Sequence, residues 1–453
     1  MATKPPIGLE SIGGLAIHII VSKLGPSDAA AVACVNKRFK DWASEESLWS
    51  SFCAQELNLS SPIDPLGNTC PSFKAAYGAW REAYGMYPWP LVRRVKHLWA
   101  RIRTWLTENF PEVLPTLRKG ASEDEINNLE KSLKVKLPLP TRVLYRFCDG
   151  QEPCSHSSRG NTLQNLCGLI GGYSFYHYLV NVFLLPLNVV IKETNNNALS
   201  LGFIKHKYIV VAASSTHIKK IFFLDCVKGQ LYVATKNTIV SRERVPCVPM
   251  PCVPNRLITS VHDSKSGSQQ DAMLLWLEEH IHRLETGYIK LREEGNVRSI
   301  SLFPEKPPLC SLATTGGVQV RASAVFVPEF SDPRAEDENY MFAYSIRMSL
   351  KPEGCFIHGM TFSSCQLYWR RWIIKANDNV VADINGEAVI GQFPLLQPGK
   401  KEFVYESCTM SALSPGSIEG SFTFVPGRLA DPKGSPFEVE VAKFPLLLPE
   451  YIF

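Results

Sequence analysis

The apolar period of this 453-residue chain differs between its two ends, and that difference limits what it can fold into. As far as Gly150, large apolar residues recur every three or four positions, as helices require. From Gly316 they recur every second position, as strands require. A single layer of structure cannot satisfy both patterns, so the length suggests about two to four domains.

Residues 9–57 read as three short helices. Leu15, Ile19, Ile20 and Leu24 stripe the first. Gly25 stops it, Ser27 can cap the second, and Asp28 suits the positive end of the next dipole. Ala29, Val32, Ala33, Val35 and Phe39 carry the second helix. Ser44 can cap the third, which gathers Leu48, Trp49, Phe52 and Cys53 on one side. A unit of about 50 residues has too small an interior for so many large side chains. Some of them are therefore expected to be held for a partner.

The run Leu24-Gly25-Pro26-Ser27-Asp28, then Val35-Asn36-Lys37-Arg38-Phe39, then Leu48-Trp49, resembles an F-box. It departs from that family at Leu9-Glu10, where Leu-Pro is usual, and at Phe39, where Trp is commoner. The resemblance implies docking on the Skp-type adaptor of a cullin–RING ubiquitin ligase. The expected adaptor face is Leu9, Leu15, Ile19, Ile20, Leu24, Pro26, Val35, Phe39, Leu48 and Trp49.

The apolar content of 45% and the charged content of 20% are those of an ordinary globular chain. The formal charge of +5 is slight and argues neither for nor against nucleic acid, and no nucleic-acid partner is expected. The longest apolar runs are strand-sized, so no membrane span is expected. Residues 1–8 lack the form of a secretory leader, which points to the cytosol or nucleus. The 13 cysteines are irregularly spaced and read as free thiols, and Cys247 and Cys252 lack a second ligand pair for zinc.

Residues 58–70 read as a loop. Residues 71–84 read as a helix carrying Phe73, Tyr77, Trp80 and Tyr84, broken by Tyr87-Pro88-Trp89-Pro90. Residues 91–109 form an amphipathic helix whose inner stripe is Val92, Val95, Leu98, Trp99, Ile102, Trp105 and Leu106. Arg94, His97 and Arg101 lie on another face. Ser122 and Glu125 make a capping box before Ile126, Leu129 and Leu133. Pro138 and Pro140 stop that helix, and Thr141 to Asp149 form another. Residues 163–172 and 201–234 read as strands with a hairpin turn at Gly229, and 268–294 return to helix. His280 and His282, two apart, point to different faces, so no metal pair is expected. The Ser-Glu-Asp-Glu-Ile opening and Asp149-Gly150 resemble the SUKH (Smi/Knr-like) family, which implies an α+β protein-recognition domain.

Residues 296–314 have the composition of a linker ending in an edge strand. Strands follow at 318–326, 340–350, 363–376, 379–384, 401–409, 418–425 and 436–444. Turns fall at Gly354, Asn385-Gly386, Pro398-Gly399, Pro415-Gly416 and Gly434. The pattern is that of an antiparallel sandwich. Val327-Pro328-Glu329, Tyr340-x-Phe342-Ala343-Tyr344-x-Ile346, Arg371-Trp372-x-Ile374, Phe393-Pro394, Tyr405-x-Ser407 and Gly416-x-Ile418-x-Gly420 resemble the ApaG family. That family implies an all-β, fibronectin type III-like fold.

The expected organisation is therefore multidomain: an all-α F-box (1–60), a helical linker (61–90), an α+β SUKH domain (91–294) and the ApaG sandwich (295–453). The order resembles an F-box architecture found in plants and animals, and implies a non-catalytic substrate receptor that holds an unknown target protein. Gly386 to Gly391 stands where ApaG chains often have G-x-G-x-x-G, but Ala388 replaces the middle Gly and no helix follows. Turn geometry explains the two glycines, and no cofactor is expected. Arg370, Arg371, Trp372, Gly386 and Gly391 remain the candidate ligand-contacting residues. Trp369 and Trp372, three apart in one strand, face opposite ways, one toward the core. Two other readings follow: a nucleotide- or small-molecule-binding protein acting through the sandwich, or a SUKH scaffold outside any ligase. Cys365, Cys408 and His358 lack the partners of a catalytic thiol or base.

Overall fold

The computed structural model of the chain describes residues 14–152, 167–176, 178–198, 207–214, 220–235, 244–249, 252–253, 271–294, 297–332, 339–411 and 414–453. The chain divides into two compact units. The first holds the described residues up to His97 and the second those from Leu98.

The first unit is helical: α1 (Gly14–Leu24), α2 (Pro26–Val32), α3 (Lys37–Trp42), α4 (Glu46–Leu57), α5 (Phe73–Tyr84) and the opening turns of α6 (Trp89–Asn109). The expected second helix is two. Asn36 accepts from the Phe39 N–H at 2.9 Å, and this cap restarts the helix after a turn. The expected caps also move. Gly25 (φ +86) is the N-cap of α2, with Pro26 in the first turn, where its missing N–H costs nothing. Ser44 caps nothing; its hydroxyl accepts from Lys74 Nζ at 2.8 Å. Trp49 is the hub of this unit. Its indole donates to the Ala43 carbonyl at 2.7 Å, and its ring lies 5.6 Å from Phe52 and 5.4 Å from Tyr77.

In the second unit, α7 (Glu123–Leu133) starts at the Ser122–Glu125 capping box. Next comes α8 (Leu139–Phe147), which begins two residues early because Pro140 is accepted in a first turn. The strands are β1 (Gly171–Phe175), β2 (Tyr178–Leu184), β3 (Tyr208–Ser214), β4 (Ile221–Asp225), β5 (Leu231–Ala234), β6 (Arg244–Pro246), β7 (Lys290–Glu294) and β8 (Val297–Ser301). Between them lie α9 (Leu187–Asn197) and α10 (Ala272–Glu285). The sheet order is β6-β5-β4-β3-β2-β1-β8-β7. Gly229 (φ +68) lies in the β4–β5 turn as expected.

The helix expected over 268–294 stops at Glu285, and the residues read as a linker from 296 hold a strand instead. β8 pairs antiparallel with β7 and parallel with β1, so the boundary expected between 294 and 295 falls inside a hairpin. Gly171 (φ +80) permits the approach of β8, since a Cβ there would sit 2.3 Å from the Ile300 carbonyl oxygen.

The sandwich consists of two sheets. One has the order β17 (Phe403–Ser411), β11 (Tyr340–Leu350), β10 (Val318–Phe326), β9 (Cys310–Thr315). The other is built on β15 (Asn379–Glu387), β14 (Cys365–Ala376), β18 (Gly416–Arg428) and β20 (Phe437–Leu446). Short strands β16 (Leu395–Leu396) and β19 (Asp431–Pro432) join it, and β12 (Cys355–Ile357) pairs with β13 (Met360–Phe362). Phe342, Ile346, Trp372, Phe422 and Phe444 fill the space between the sheets, with Trp372 5.4 Å from Phe422. Asn385-Gly386, expected as a turn, continues β15.

The opposite face of β11 is also buried. Ser345 and Arg347 meet the α+β part of the unit. Glu305 takes hydrogen bonds from Arg347 and, at 3.0 Å, from Arg321; Arg292 donates to Ser345 at 2.9 Å.

Candidate functional site

Helix α1 is apolar nearly all the way round, and the first unit uses only part of it. Ile17 and Val21, one turn apart, are buried. Leu15 is 78% exposed, and Ile19, Ile20 and Leu24 are exposed as well. Leu15 and Ile19 form one i,i+4 pair of neighbours and Ile20 and Leu24 another, so the helix presents a broad uncovered apolar surface. Val35, in the turn after α2, is 67% exposed. Surface of this kind suits a protein partner.

The remaining expected contact residues are placed differently. Pro26, Leu48 and Trp49 are buried within the first unit, and Phe39 is half-buried with its ring edge-on to Trp42 at 5.4 Å. Leu48 and Trp49 therefore face this chain's own interior. The Leu-Trp motif marks a side of α4 but not what that side meets. Leu9 lies outside the described residues.

In the sandwich, the Gly386–Gly391 stretch is a tight hairpin turn. Ile390 (φ +44) and Gly391 (φ +74) are its corner, and Val389 and Gln392 exchange backbone hydrogen bonds at 3.0 and 2.8 Å. The Ala388 N–H is taken by the Tyr368 carbonyl at 3.1 Å. These N–H groups are spent on carbonyls, and a strand rather than a helix follows, so the loop lacks the helix N-terminus of a dinucleotide phosphate cradle. Arg371 is paired with Asp383 at 2.7 Å on the surface. Trp372 is the tryptophan that turns inward, while Trp369 is half-exposed.

Arg370 and Trp372 share a different setting. With Tyr344, Tyr405, Ser407 and Ile384 they line a cavity of about 270 Å³ between the two sheets. Arg370 Nη1 donates to the Glu387 and Ala388 carbonyls at 2.9 and 2.6 Å, which fixes the guanidinium at the wall. Burial pushes the Tyr344 and Tyr405 phenols up, and the nearby Arg370 charge opposes the rise at both. The tyrosines sit in separate strands, and only the fold brings them together with Arg370.

Among the described residues, no cluster of histidine, cysteine and carboxylate side chains could hold a metal ion, and no helix is long and apolar enough to cross a membrane. His280 is buried, its Nε2 2.9 Å from the Leu169 carbonyl, while His282 is exposed on another face of α10.

Comparison with known proteins adds an independent line. The ApaG domain family matches residues 330–426. The chain is 57% identical over 449 residues to F-box protein SKIP16 of Arabidopsis thaliana, covering 99% of this chain and 100% of that protein. It is 24% identical over 455 residues to F-box only protein 3 of Homo sapiens, covering 98% of this chain and 84% of the relative. Protein ApaG of Nitrosomonas europaea is 33% identical over 135 residues, covering 30% of this chain and 93% of its own length.

Proposed function

Since this chain belongs to the F-box protein family and carries an ApaG domain, we propose that it is the substrate-recognition subunit of an SCF-type cullin–RING ubiquitin ligase. The first unit docks a Skp-type adaptor, and through it the cullin. The second unit holds the target protein. The observation that carries this reading is the uncovered apolar surface of α1, with Leu15, Ile19, Ile20 and Leu24 exposed on a small helical unit whose interior is already filled by Trp49.

The work is positioning. Holding a target beside a charged conjugating enzyme raises the effective concentration of its lysines, and the chain itself supplies no reacting group. The α+β part, with its capping-box helix α7 and mostly antiparallel sheet, supports the SUKH reading of that region. Such a receptor works in the cytosol or nucleus.

Co-purification from cells tests the proposal. Tagged wild-type chain brings down adaptor and cullin together, whereas Leu15→Glu with Ile20→Glu brings down neither while its target-binding unit stays folded. Recovery of both subunits with the double variant would count against the proposed face.

A further inference from the structure

The cavity behind Arg370 has three features that together specify a ligand. Its lining contains one cation and no carboxylate, so it favours an anionic group. Most of its other walls are rings and branched aliphatic side chains, including Trp372, Tyr344 and Ile384, with Ser407, Cys408 and Thr409 along β17. It also contains a donor with nothing to donate to: the Tyr405 hydroxyl is buried, and its O–H has no acceptor among the described residues. The neighbouring Trp372 indole can only donate, so the phenol proton still lacks an acceptor. A buried polar group left in this state is costly unless a ligand completes it.

Arg370 is prepared for the same task. Its Nη1 is held by two loop carbonyls, which leaves Nε and Nη2 without a partner among the described residues. Those two N–H groups form the edge of the guanidinium that meets a carboxylate in a paired contact.

Size and position indicate where the carboxylate comes from. At about 270 Å³ the space is smaller than the roughly 300–1,000 Å³ usual for whole small-molecule ligands, and suits one large side chain. It also lies where β17 and β15, the outer strands of their sheets, contribute lining residues: Tyr405 and Ser407 from one, Ile384 from the other. Among the described residues no strand pairs with the outer edge of either, so an extended peptide can add there by backbone hydrogen bonds.

We propose that this cavity captures the C-terminal residue of a target polypeptide, with an aromatic or branched aliphatic side chain among the rings and its terminal carboxylate on Arg370 and the Tyr405 hydroxyl. This deepens the receptor reading and rests on it, by naming the class of signal the receptor takes.

The test uses the full chain and fluorescently labelled octapeptides of glycine and serine ending in phenylalanine, tryptophan, leucine or isoleucine. Each is compared with its C-terminal amide and with a version carrying the same residue internally. Phenylacetate serves as a competing free acid. At least one free-acid peptide binds about tenfold or more tighter than its amide and its internal version. Tyr405→Phe weakens that binding several-fold, and Arg370→Gln removes the acid–amide difference, which Arg370→Lys partly restores. Urea unfolding midpoints show which variants remain folded, and Tyr405→Phe, which removes only an oxygen, carries the test if Arg370→Gln does not fold.

Equal binding of acid and amide, no binding by any peptide, binding of phenylacetate alone, or unchanged binding by folded Tyr405→Phe and Arg370→Gln would each overturn the proposal. Adaptor capture is read from the same preparations. Lost peptide binding with adaptor capture intact sinks only this inference, and the reverse sinks only the receptor reading.

Discussion

Arg292 Nη1 donates to Glu406 Oε1 at 2.8 Å, joining side chains 114 residues apart. The pair ties hairpin β7–β8 to the outer face of the sandwich. Glu305 reinforces the same joint from a nearly buried position by accepting from Arg347 and Arg321. The two parts of the second unit therefore share a charged seam.

Glu305→Gln tests that seam. Removing the carboxylate leaves buried guanidinium groups uncompensated, a change that costs about 3–5 kcal/mol. Burial alone would raise the Glu305 pKa, but Arg347, Arg292 and Arg321 outweigh it and hold the carboxyl below its ordinary range. With its folded pKa depressed, Glu305 contributes stability above about pH 4 that is lost as the pH falls further. Urea unfolding of wild type and variant at several pH values checks this: the variant is less stable at neutral pH, and the gap narrows in acid.

His280 makes a second pH-dependent contribution. Burial pulls its pKa down to about 4, and it stays neutral while its Nε2–H donates to the Leu169 carbonyl. The unfolded chain takes up the proton near pH 6.5. Stability is thus fully present above about pH 6.5 and declines toward pH 4, by at most about 1.4 kcal/mol per pH unit. His280→Gln keeps a donor and flattens this interval. An unchanged slope would place the titrating group elsewhere.

Trp49 and Leu15 separate interior from surface in the first unit. Trp49→Ala costs about 3–5 kcal/mol, because its ring fills the space between Phe52 and Tyr77. Leu15→Ala, on an exposed position, changes stability by less than about 0.5 kcal/mol. Thermal unfolding of the two variants gives the comparison, and a large loss at Leu15 would mean that its surface is already covered.

The Gly386–Gly391 turn predicts a negative result. Titrating the chain with a nucleoside triphosphate gives no micromolar binding that depends on this loop, because the Ala388 and Val389 amides already bond to the Tyr368 and Gln392 carbonyls and no helix N-terminus follows. Gly391→Ala, at φ +74, destabilises the turn by about 1 kcal/mol, which unfolding measurements detect.

The alternation of Phe342, Tyr344, Ile346 and Met348 made the sandwich readable, since period two with turn residues admits few other folds. Period two does not say what meets the other face of that strand: a second layer covers Ser345 and Arg347, and the partner of Arg347, Glu305, lies 42 residues away with no local signal. The apolar stripe of α1 was legible because one helix carries it. The inward placement of Leu48 and Trp49 was not, since periodicity says which residues share a side and not whose surface that side meets. The cavity was invisible for a related reason: Tyr344, Arg370 and Tyr405 are ordinary strand residues until two sheets bring them to one space.

Calorimetric titration of a purified Skp-type adaptor into the full chain, wild type beside Leu15→Glu with Ile20→Glu, tests the receptor assignment most directly. The expected result is saturable one-to-one binding by the wild type, and binding weaker by about a hundredfold or more in a double variant with an unchanged unfolding midpoint. Equal affinity in two equally folded proteins would contradict it.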